Sequence, residues 1–264
     1  MNPSGKLTET IPLRIQDTPS YGNFPGEAGH VRYGEGIFVG YRGYDLKQLE
    51  VAYPFGHGLS YTTFRYGDAH AEVTDAGDIV VTVPVSNGGN RPGREIVQVY
   101  TSLPGSAIER AVRALSGFAT VEIAPGDEAQ VEITLHRNDL TAWDVRQGRW
   151  VLEGGDYTIE VGASSRDIRA TTTVTVAGDD TSVPLTLHSS VTDVLADPVA
   201  GPPTRKAMGS FLSGDEASDA ATLKAMEGFP VGRIVGFTGP EVTVESLQTL
   251  LDEANAAARP ATKS

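Results

Sequence analysis

The chain has 264 residues, a formal net charge of -13 and no cysteine. The acidic balance disfavours nucleic acid as a partner. The lack of cysteine excludes disulfides, zinc–thiolate sites and cysteine nucleophiles. No run of about 18 apolar residues is present, so the sequence predicts no membrane span. A hydrophobic fraction of 39% allows a packed core, and 30 glycines with 16 prolines favour turn-rich β structure over a helical bundle.

Residues 1–64 are predicted to consist mainly of loops. Proline has no amide hydrogen and a fixed φ, so the prolines early in this stretch exclude a long helix or a central strand. Two stretches rich in glycine and aromatic residues follow, at residues 33–42 and 53–61. Neither has the periodicity needed to form a core alone, so we expect the segment to pack against another part of the protein.

Residues 65–178 predict a β-sandwich. Apolar and polar residues alternate with a period of two, which is typical of strands with one buried face. Glycine-containing turns separate the alternating stretches. Short strands with regular turns predict one antiparallel domain of the immunoglobulin-like or fibronectin-like type. The predicted strands include Ile79–Val85, Glu95–Tyr100, Val131–Leu135, Tyr157–Val161 and Val174–Val176.

Residues 179–264 begin with a polar linker and then predict helices. The clearest signal is an apolar stripe at helical spacing, formed by Val244, Leu247, Leu250, Leu251 and Ala254. The last residues, 256–264, are expected to be frayed. Shorter helices are predicted near Val191–Ala196, Arg205–Leu212 and Ala217–Met226, with breaks at Gly201-Pro202-Pro203 and at Gly228-Phe229-Pro230.

Two residues in the opening segment have side chains that could act on a substrate. Glu35 lies among glycines and aromatics and is the best candidate for a catalytic carboxylate. The alternative is that Glu35 caps a loop or pairs with Arg32 or Arg42. His57 lies between two glycines and could contact a substrate, or it could be a structural wedge between two domains.

Further along the chain, Asp144 beside Trp143 could form a sugar platform, or Trp143 could pack in or at the edge of the sandwich. An exposed aromatic strip of Tyr100, Trp143 and Trp150 would support a free-standing binding module. No nucleotide-binding glycine motif occurs, and we expect no metal or other cofactor. The histidines are scattered, without a pair at i, i+4: His30, His57, His70, His136 and His188.

The stretch Tyr53–Phe64 reads Tyr-Pro-Phe-Gly-His-Gly-Leu-Ser-Tyr-Thr-Thr-Phe. It resembles the PFGHGLSYT signature of glycoside hydrolase family 3 enzymes of the β-glucosidase type. Other stretches are similar to that family and follow its order over residues 1–177. They include Asn2–Leu7, Tyr21–Glu27, Arg32–Arg42, Asn87–Gly89, Gly93–Tyr100, Leu115–Phe118, Asp139–Leu140, Trp143–Asp144 and Gly162–Arg169.

The resemblance implies a mainly β protein with three parts. Residues 1–64 would be the C-terminal remnant of an α/β sandwich domain. Residues 65–178 would be a fibronectin type III-like (immunoglobulin-like) β-sandwich, and residues 179–264 a linker with a small helical C-terminal extension. The chain is therefore expected to start inside a larger fold.

The resemblance also implies retaining hydrolysis of terminal β-linked glucosyl residues by two carboxyl groups about 5 Å apart. In the family both carboxyls belong upstream of the matched segment, so no residue here is assigned as catalytic. We expect the chain to be inactive alone, and a β-glucoside or oligosaccharide to bind through the missing catalytic domains. We expect a complementary N-terminal part of the same enzyme as a partner. We also expect a cytoplasmic location. The alternative is a free-standing fibronectin-like carbohydrate-binding or adhesion module.

Overall fold

A computed structural model describes residues 2–210, 216–226, 228–236 and 242–258. The chain divides into two compact units, Met1–Thr181 and Ser182–Ser264. The first unit is mainly β and the second is helical. The further division of the first unit at residue 64 stays a prediction.

The opening segment of the first unit contains little regular structure. Its strands β1 (Ile11–Pro12) and β2 (Val51–Tyr53) pair antiparallel, and helix α1 (Tyr41–Leu46) lies between them in the chain. A single 3-10 turn occurs at Ile15–Asp17. This outcome confirms the prediction of a segment made mainly of loops.

The rest of the first unit is a sandwich of two antiparallel four-stranded sheets, together with a separate two-stranded hairpin. Its strands are β3 (Phe64–Tyr66), β4 (His70–Val73), β5 (Ile79–Asn87), β6 (Gly93–Ser102), β7 (Ala114–Ile123), β8 (Glu128–Leu135), β9 (Ala142–Asp144), β10 (Arg149–Val151), β11 (Gly155–Ser164) and β12 (Asp167–Val176). In the first sheet, β5 pairs with β8 on one side and with β3 and β4 in succession on the other. The second sheet has the order β12-β11-β6-β7, and β9 and β10 form a separate hairpin.

Strand alternation produces the core between the two sheets. Along β5, Ile79, Val81, Val83 and Val85 are fully buried, and the residues between them are half-buried. Burying each such aliphatic side chain stabilises the fold by about 1.5–3 kcal/mol. The predicted strands at residues 79–85, 95–100, 131–135, 157–161 and 174–176 are therefore confirmed.

Strand β6 departs from this alternation, because residues 97–101 are all buried. One face of β6 contributes Val97 and Val99 to the sandwich core. The other face carries Gln98 and Tyr100, which contact the opening segment. The outer face of the second sheet is therefore covered by residues that lie about 40 to 60 positions earlier in the chain.

The second unit has its own apolar core, which includes Val194, Met208, Ile234 and Leu251. Ser190 caps the first helix by accepting a hydrogen bond from the Asp193 amide at 3.0 Å. The helices are α2 (Val191–Ala196), α3 (Gly201–Ala207), α4 (Glu216–Ala225) and α5 (Val244–Ala258), with 3-10 turns at Met208–Ser210 and Val231–Gly236.

The structure confirms the predicted helices at residues 191–196, 217–226 and 244–254, and it corrects two details. The predicted break at Gly201-Pro202-Pro203 is wrong, because these residues begin α3. Proline is tolerated in a first helical turn, where amides have no intrahelical partner. The predicted fraying from residue 256 is wrong as far as Ala258, where α5 ends. Residues 211, 212 and 259–264 of these predictions lie outside the described residues.

Candidate functional site

A buried side chain, Gln98, forms hydrogen bonds between the opening segment and the outer face of the second sheet. The Gln98 amide nitrogen donates to the carbonyls of Gly56 at 3.1 Å and Ala163 at 2.8 Å. Its amide oxygen accepts a hydrogen bond from the Tyr100 hydroxyl at 2.6 Å. Sequence reasoning missed Gln98. The available signal was a polar residue between Val97 and Val99 in a strand otherwise typical of a buried one.

An aromatic cluster lies beside Gln98. The rings of Tyr41 and Phe55 stack with centroids 4.7 Å apart, and Tyr100 meets Tyr41 edge-on at 6.2 Å. The Tyr41 hydroxyl accepts a hydrogen bond from the Leu115 amide at 2.8 Å, and the Phe55 carbonyl accepts one from the Ser165 amide at 3.0 Å. Burial and aromatic geometry together therefore stabilise the contact between α1, the segment at residues 53–61 and the second sheet.

Ion pairs add to this contact at its two ends. Lys6 Nζ lies 2.8 Å from Glu95 Oε1, and both side chains are nearly buried. Arg166 donates to Asp45 Oδ1 from its Nε at 3.1 Å and from its Nη2 at 2.9 Å. Removing one member of a nearly buried pair leaves an uncompensated charge, so these pairs fix the position of the segment more than they add net stability.

The backbone of His57 joins two stretches of the opening segment to each other. Its carbonyl accepts from the Leu7 amide at 2.8 Å, and the Gly56 amide donates to the Leu7 carbonyl at 2.8 Å. Its ring lies 5.1 Å from that of Tyr53. Gly56 has a φ of +80°, and a Cβ there would lie 2.1 Å from Gln98 Oε1. The signature stretch at residues 53–64 therefore needs glycine both for backbone conformation and for close approach.

Glu35, the candidate catalytic carboxylate, accepts a hydrogen bond from Asn23 Nδ2 at 2.6 Å. Among the described residues, the ion pairs include none between Glu35 and Arg32 or Arg42. The partner of Glu35 is therefore an amide. A role in catalysis stays untested, and no catalytic residue is assigned to the chain.

Six carboxyl groups elsewhere in the described residues have lowered pKa values, which disfavours a role as a general acid. A general acid in a glycosidase needs a raised pKa. Every carboxyl with a shifted pKa here has it lowered, by hydrogen bonds from arginines, from backbone amides or, for Glu153 against the opposing effect of burial, from the Ser106 hydroxyl first. These groups are Asp17, Asp78, Asp144, Glu153, Asp167 and Asp179. They are consistent with structural rather than catalytic roles.

The opening segment exposes many large apolar side chains. Phe24 is 72% exposed and Tyr33 is 80% exposed. We call these exposed side chains the docking face, and they are Leu13, Ile15, Tyr21, Phe24, Val31, Tyr33, Val39, Tyr53 and Tyr61. Such a concentration of large exposed apolar side chains is typical of a surface that another protein element covers.

The tryptophans lie on the hairpin of β9 and β10, where Trp143 pairs with Trp150 across the strands. Their rings meet edge-on, with centroids 5.8 Å apart. Trp143 is 47% exposed and Trp150 is 63% exposed, so neither lies in the sandwich core. Tyr100 is fully buried, so a strip joining Tyr100 to the two tryptophans is wrong. Tyr100 lies in the contact with the opening segment instead.

Asp144 holds the turn of this hairpin. Its carboxylate accepts from the Arg146 amide at 2.8 Å and from the Arg146 guanidinium at 3.2 and 3.0 Å. The hydrogen bond from the Arg146 side chain lowers the pKa of Asp144 to about 2. Asp144 therefore shapes the tryptophan hairpin rather than facing a ligand.

Residues 2–210, 216–226, 228–236 and 242–258 contain no group of three or more metal-binding side chains. Over the same ranges, no helix is long and apolar enough to cross a membrane.

Comparison with protein families identifies the sandwich. Residues 95–165 match the fibronectin type III-like domain. The β-glucosidase of Bifidobacterium adolescentis, described as a GH3 enzyme, has a TM-score of 0.71 at 43% identity over 76% of this chain and 30% of that one. β-Glucosidase 3B of Thermotoga neapolitana has a TM-score of 0.63 at 39% identity over 67% of this chain and 25% of that one. The first unit is therefore a fibronectin type III-like module with a docked opening segment.

Sequence relatives give the family. Thermostable β-glucosidase B of Acetivibrio thermocellus is 39% identical over 97% of this chain and 35% of its own length. An exo-α-(1->6)-L-arabinopyranosidase of Bifidobacterium breve is 39% identical over 96% of this chain and 32% of its own length. The chain belongs to glycoside hydrolase family 3, of the β-glucosidase type, and corresponds to the C-terminal portion. It spans about a third of the length of these two relatives.

The helical second unit falls within the region that some relatives match. The two bacterial relatives match nearly the whole chain, whereas the probable β-glucosidase I of Aspergillus niger, at 45% identity, matches 61% of it. A mainly β protein with a fibronectin type III-like domain and a small helical tail, as the sequence predicted, is confirmed.

Proposed function

We propose that this chain supplies the non-catalytic C-terminal portion of a retaining β-glucosidase that hydrolyses terminal β-linked glucosyl residues. Residues 1–64 are then the end of an α/β domain, and residues 65–178 form a sandwich that packs against this domain and supports it. The helical extension, residues 179–264, follows the sandwich. The observation that carries this proposal is that the opening segment is hydrogen-bonded to the sandwich through Gln98 and still exposes the large apolar side chains of the docking face.

The partner for the docking face is the N-terminal portion of the same enzyme, which would also hold the β-glucoside or oligosaccharide substrate. Two relatives with different names, a β-glucosidase and an arabinopyranosidase, are each 39% identical to this chain. Equal similarity to both supports a sugar specificity that is determined outside the matched region. The cytoplasmic location stays a prediction.

Inactivity of the chain alone is tested with an aryl β-glucoside. The purified 264-residue chain is expected to give no turnover above a buffer blank, because the two reacting carboxyl groups of the proposed mechanism belong to the N-terminal portion of the enzyme. Turnover that Glu35→Ala abolishes and Glu27→Ala leaves intact would refute the proposal. Glu27 is an exposed carboxylate in the same segment and serves as the matched control.

The supporting role is tested in a chimera. The matched region of thermostable β-glucosidase B is replaced by this chain, and hydrolysis of the same aryl glucoside is measured. We expect an active, folded chimera that loses activity when Gln98→Ala loosens the docked segment. An inactive but folded chimera, or one insensitive to Gln98→Ala, would count against the role.

A further inference from the structure

A cleft of about 260 Å³ opens beside the tryptophan hairpin of the first unit. Trp143 and Trp150 line it from β9 and β10, and Leu140 and Tyr157 lie deeper in its wall. The two indoles meet at an interplanar angle of 76°, so they form a corner. A flat ring that stacks on one indole would contact the edge of the other.

The cleft is lined by charged side chains of both signs. Arg42 and Arg110 lie in its lining together with Glu109 and Asp139. Arg110 is already paired with Glu153. The charged side chains that face a ligand are therefore Arg42, Glu109 and Asp139, and their mixed signs do not select a strongly charged ligand. Guanidinium groups donate hydrogen bonds and carboxylates accept them, so together they match a neutral molecule rich in hydroxyl groups. The apolar corner and the mixed polar rim therefore define a ligand with one C–H face and a hydroxylated edge.

The walls of the cleft are held in place before any ligand binds. Arg110 donates to Glu153 Oε2 at 2.9 Å and to the Leu140 carbonyl at 3.1 Å. The turn that presents both tryptophans is fixed by Asp144 and Arg146. Binding residues locked by such neighbouring hydrogen bonds lose little conformational entropy when a ligand arrives.

The size and charge of the cleft favour a small-molecule ligand over a segment of another protein. Clefts for drug-sized ligands measure about 300–1,000 Å³, so this one has room for a small ring rather than a helix or strand of a protein. The cores of protein interfaces are also depleted of charged residues, whereas this cleft has four in its lining. We propose that the Trp143–Trp150 cleft binds a neutral pyranose, as a free sugar or as one residue of an oligosaccharide.

The inference does not rest on the proposed function, because binding is measured on the chain alone and requires no hydrolysis. The chain has only two tryptophans, and both line the cleft, so intrinsic tryptophan emission reports on this site alone. Cellobiose is the probe, titrated up to about 50 mM, with glucuronate as the charged comparison. We expect saturable emission change with cellobiose and no tighter binding of glucuronate.

Trp150→Ala is expected to weaken cellobiose binding about tenfold, with Trp143 as the remaining reporter. Phe118→Ala, which removes an exposed aromatic of β7 that does not line the cleft, is the matched control and should bind like the wild type. Because Trp150→Ala could unfold the hairpin, saturation-transfer NMR on the unmodified chain, irradiating the indole protons, gives a second measure. Unsaturable emission, equal effects of both variants, or no transfer from indole to sugar protons would overturn the proposal.

Discussion

The side chain of Gln98 is the most informative place to perturb the docked segment. Gln98→Ala removes three hydrogen bonds and leaves the Gly56 carbonyl, the Ala163 carbonyl and the Tyr100 hydroxyl without this partner. A buried polar group left unsatisfied costs about 1–3 kcal/mol, so three of them lower the free energy of unfolding by about 3 kcal/mol or more. For a unit of this size that corresponds to a fall in Tm of roughly 6–12 °C.

The assay compares thermal and urea unfolding of Gln98→Ala with Gln130→Ala, whose side chain is exposed on β8. The control is expected to change stability by no more than about 0.5 kcal/mol. Amide hydrogen exchange then localises the effect, since the Ser165 and Leu115 amides donate to the Phe55 carbonyl and the Tyr41 hydroxyl across the docked contact. Equal melting of the two variants, or unchanged protection of those two amides, would refute the role given to Gln98.

Three further outcomes are expected. Gly56→Ala should destabilise the first unit at least as much as Gln98→Ala, because the residue has a φ of +80° and its new Cβ would meet Gln98; unfolding curves like the wild type would exclude that clash. Asp144→Asn should destabilise the tryptophan hairpin most at neutral pH. The folded pKa of Asp144 is about 2, below its unfolded value of about 3.9, so its contribution is present above the unfolded value and is lost as pH falls through about 2. The gap between wild type and Asp144→Asn, followed by tryptophan emission in urea, should therefore shrink below pH 4, and a constant gap would contradict the assignment. Leu251→Ala should lower the stability of the helical unit by about 2–5 kcal/mol, measured by helical circular dichroism, whereas Gln248→Ala on an adjacent turn of α5 should change it little.

The sequence predicted the sandwich well where burial is one-sided. Strands β5, β8 and β11 alternate apolar and polar residues because one face meets the core. Strand β7 was missed, since Gly117 and Ser116 interrupt its pattern. The start of α3 was missed because two prolines in succession signal a break, although the first turn of a helix tolerates them.

The docking contacts were harder to foresee because they join residues far apart in the chain. Tyr100 was assigned to an exposed strip, since its local sequence gives no sign that Tyr41 and Phe55 cover the outer face of β6. The signature stretch at residues 53–64 pointed to the correct region, yet its partner Gln98 carries no signal beyond polarity within an apolar strand. Fold class follows from local periodicity, whereas the site depends on long-range packing.

The central claim is that the docking face is an interface with the N-terminal portion of the enzyme. Hydroxyl-radical footprinting of Phe24, Tyr33 and Tyr61 in the isolated chain and in the chimera tests it most directly, with exposed Phe118 as the internal reference. We predict strong labelling of the three residues in the isolated chain and protection in the chimera, with Phe118 labelled equally in both. Equal labelling of Phe24, Tyr33 and Tyr61 in an active chimera would contradict the claim.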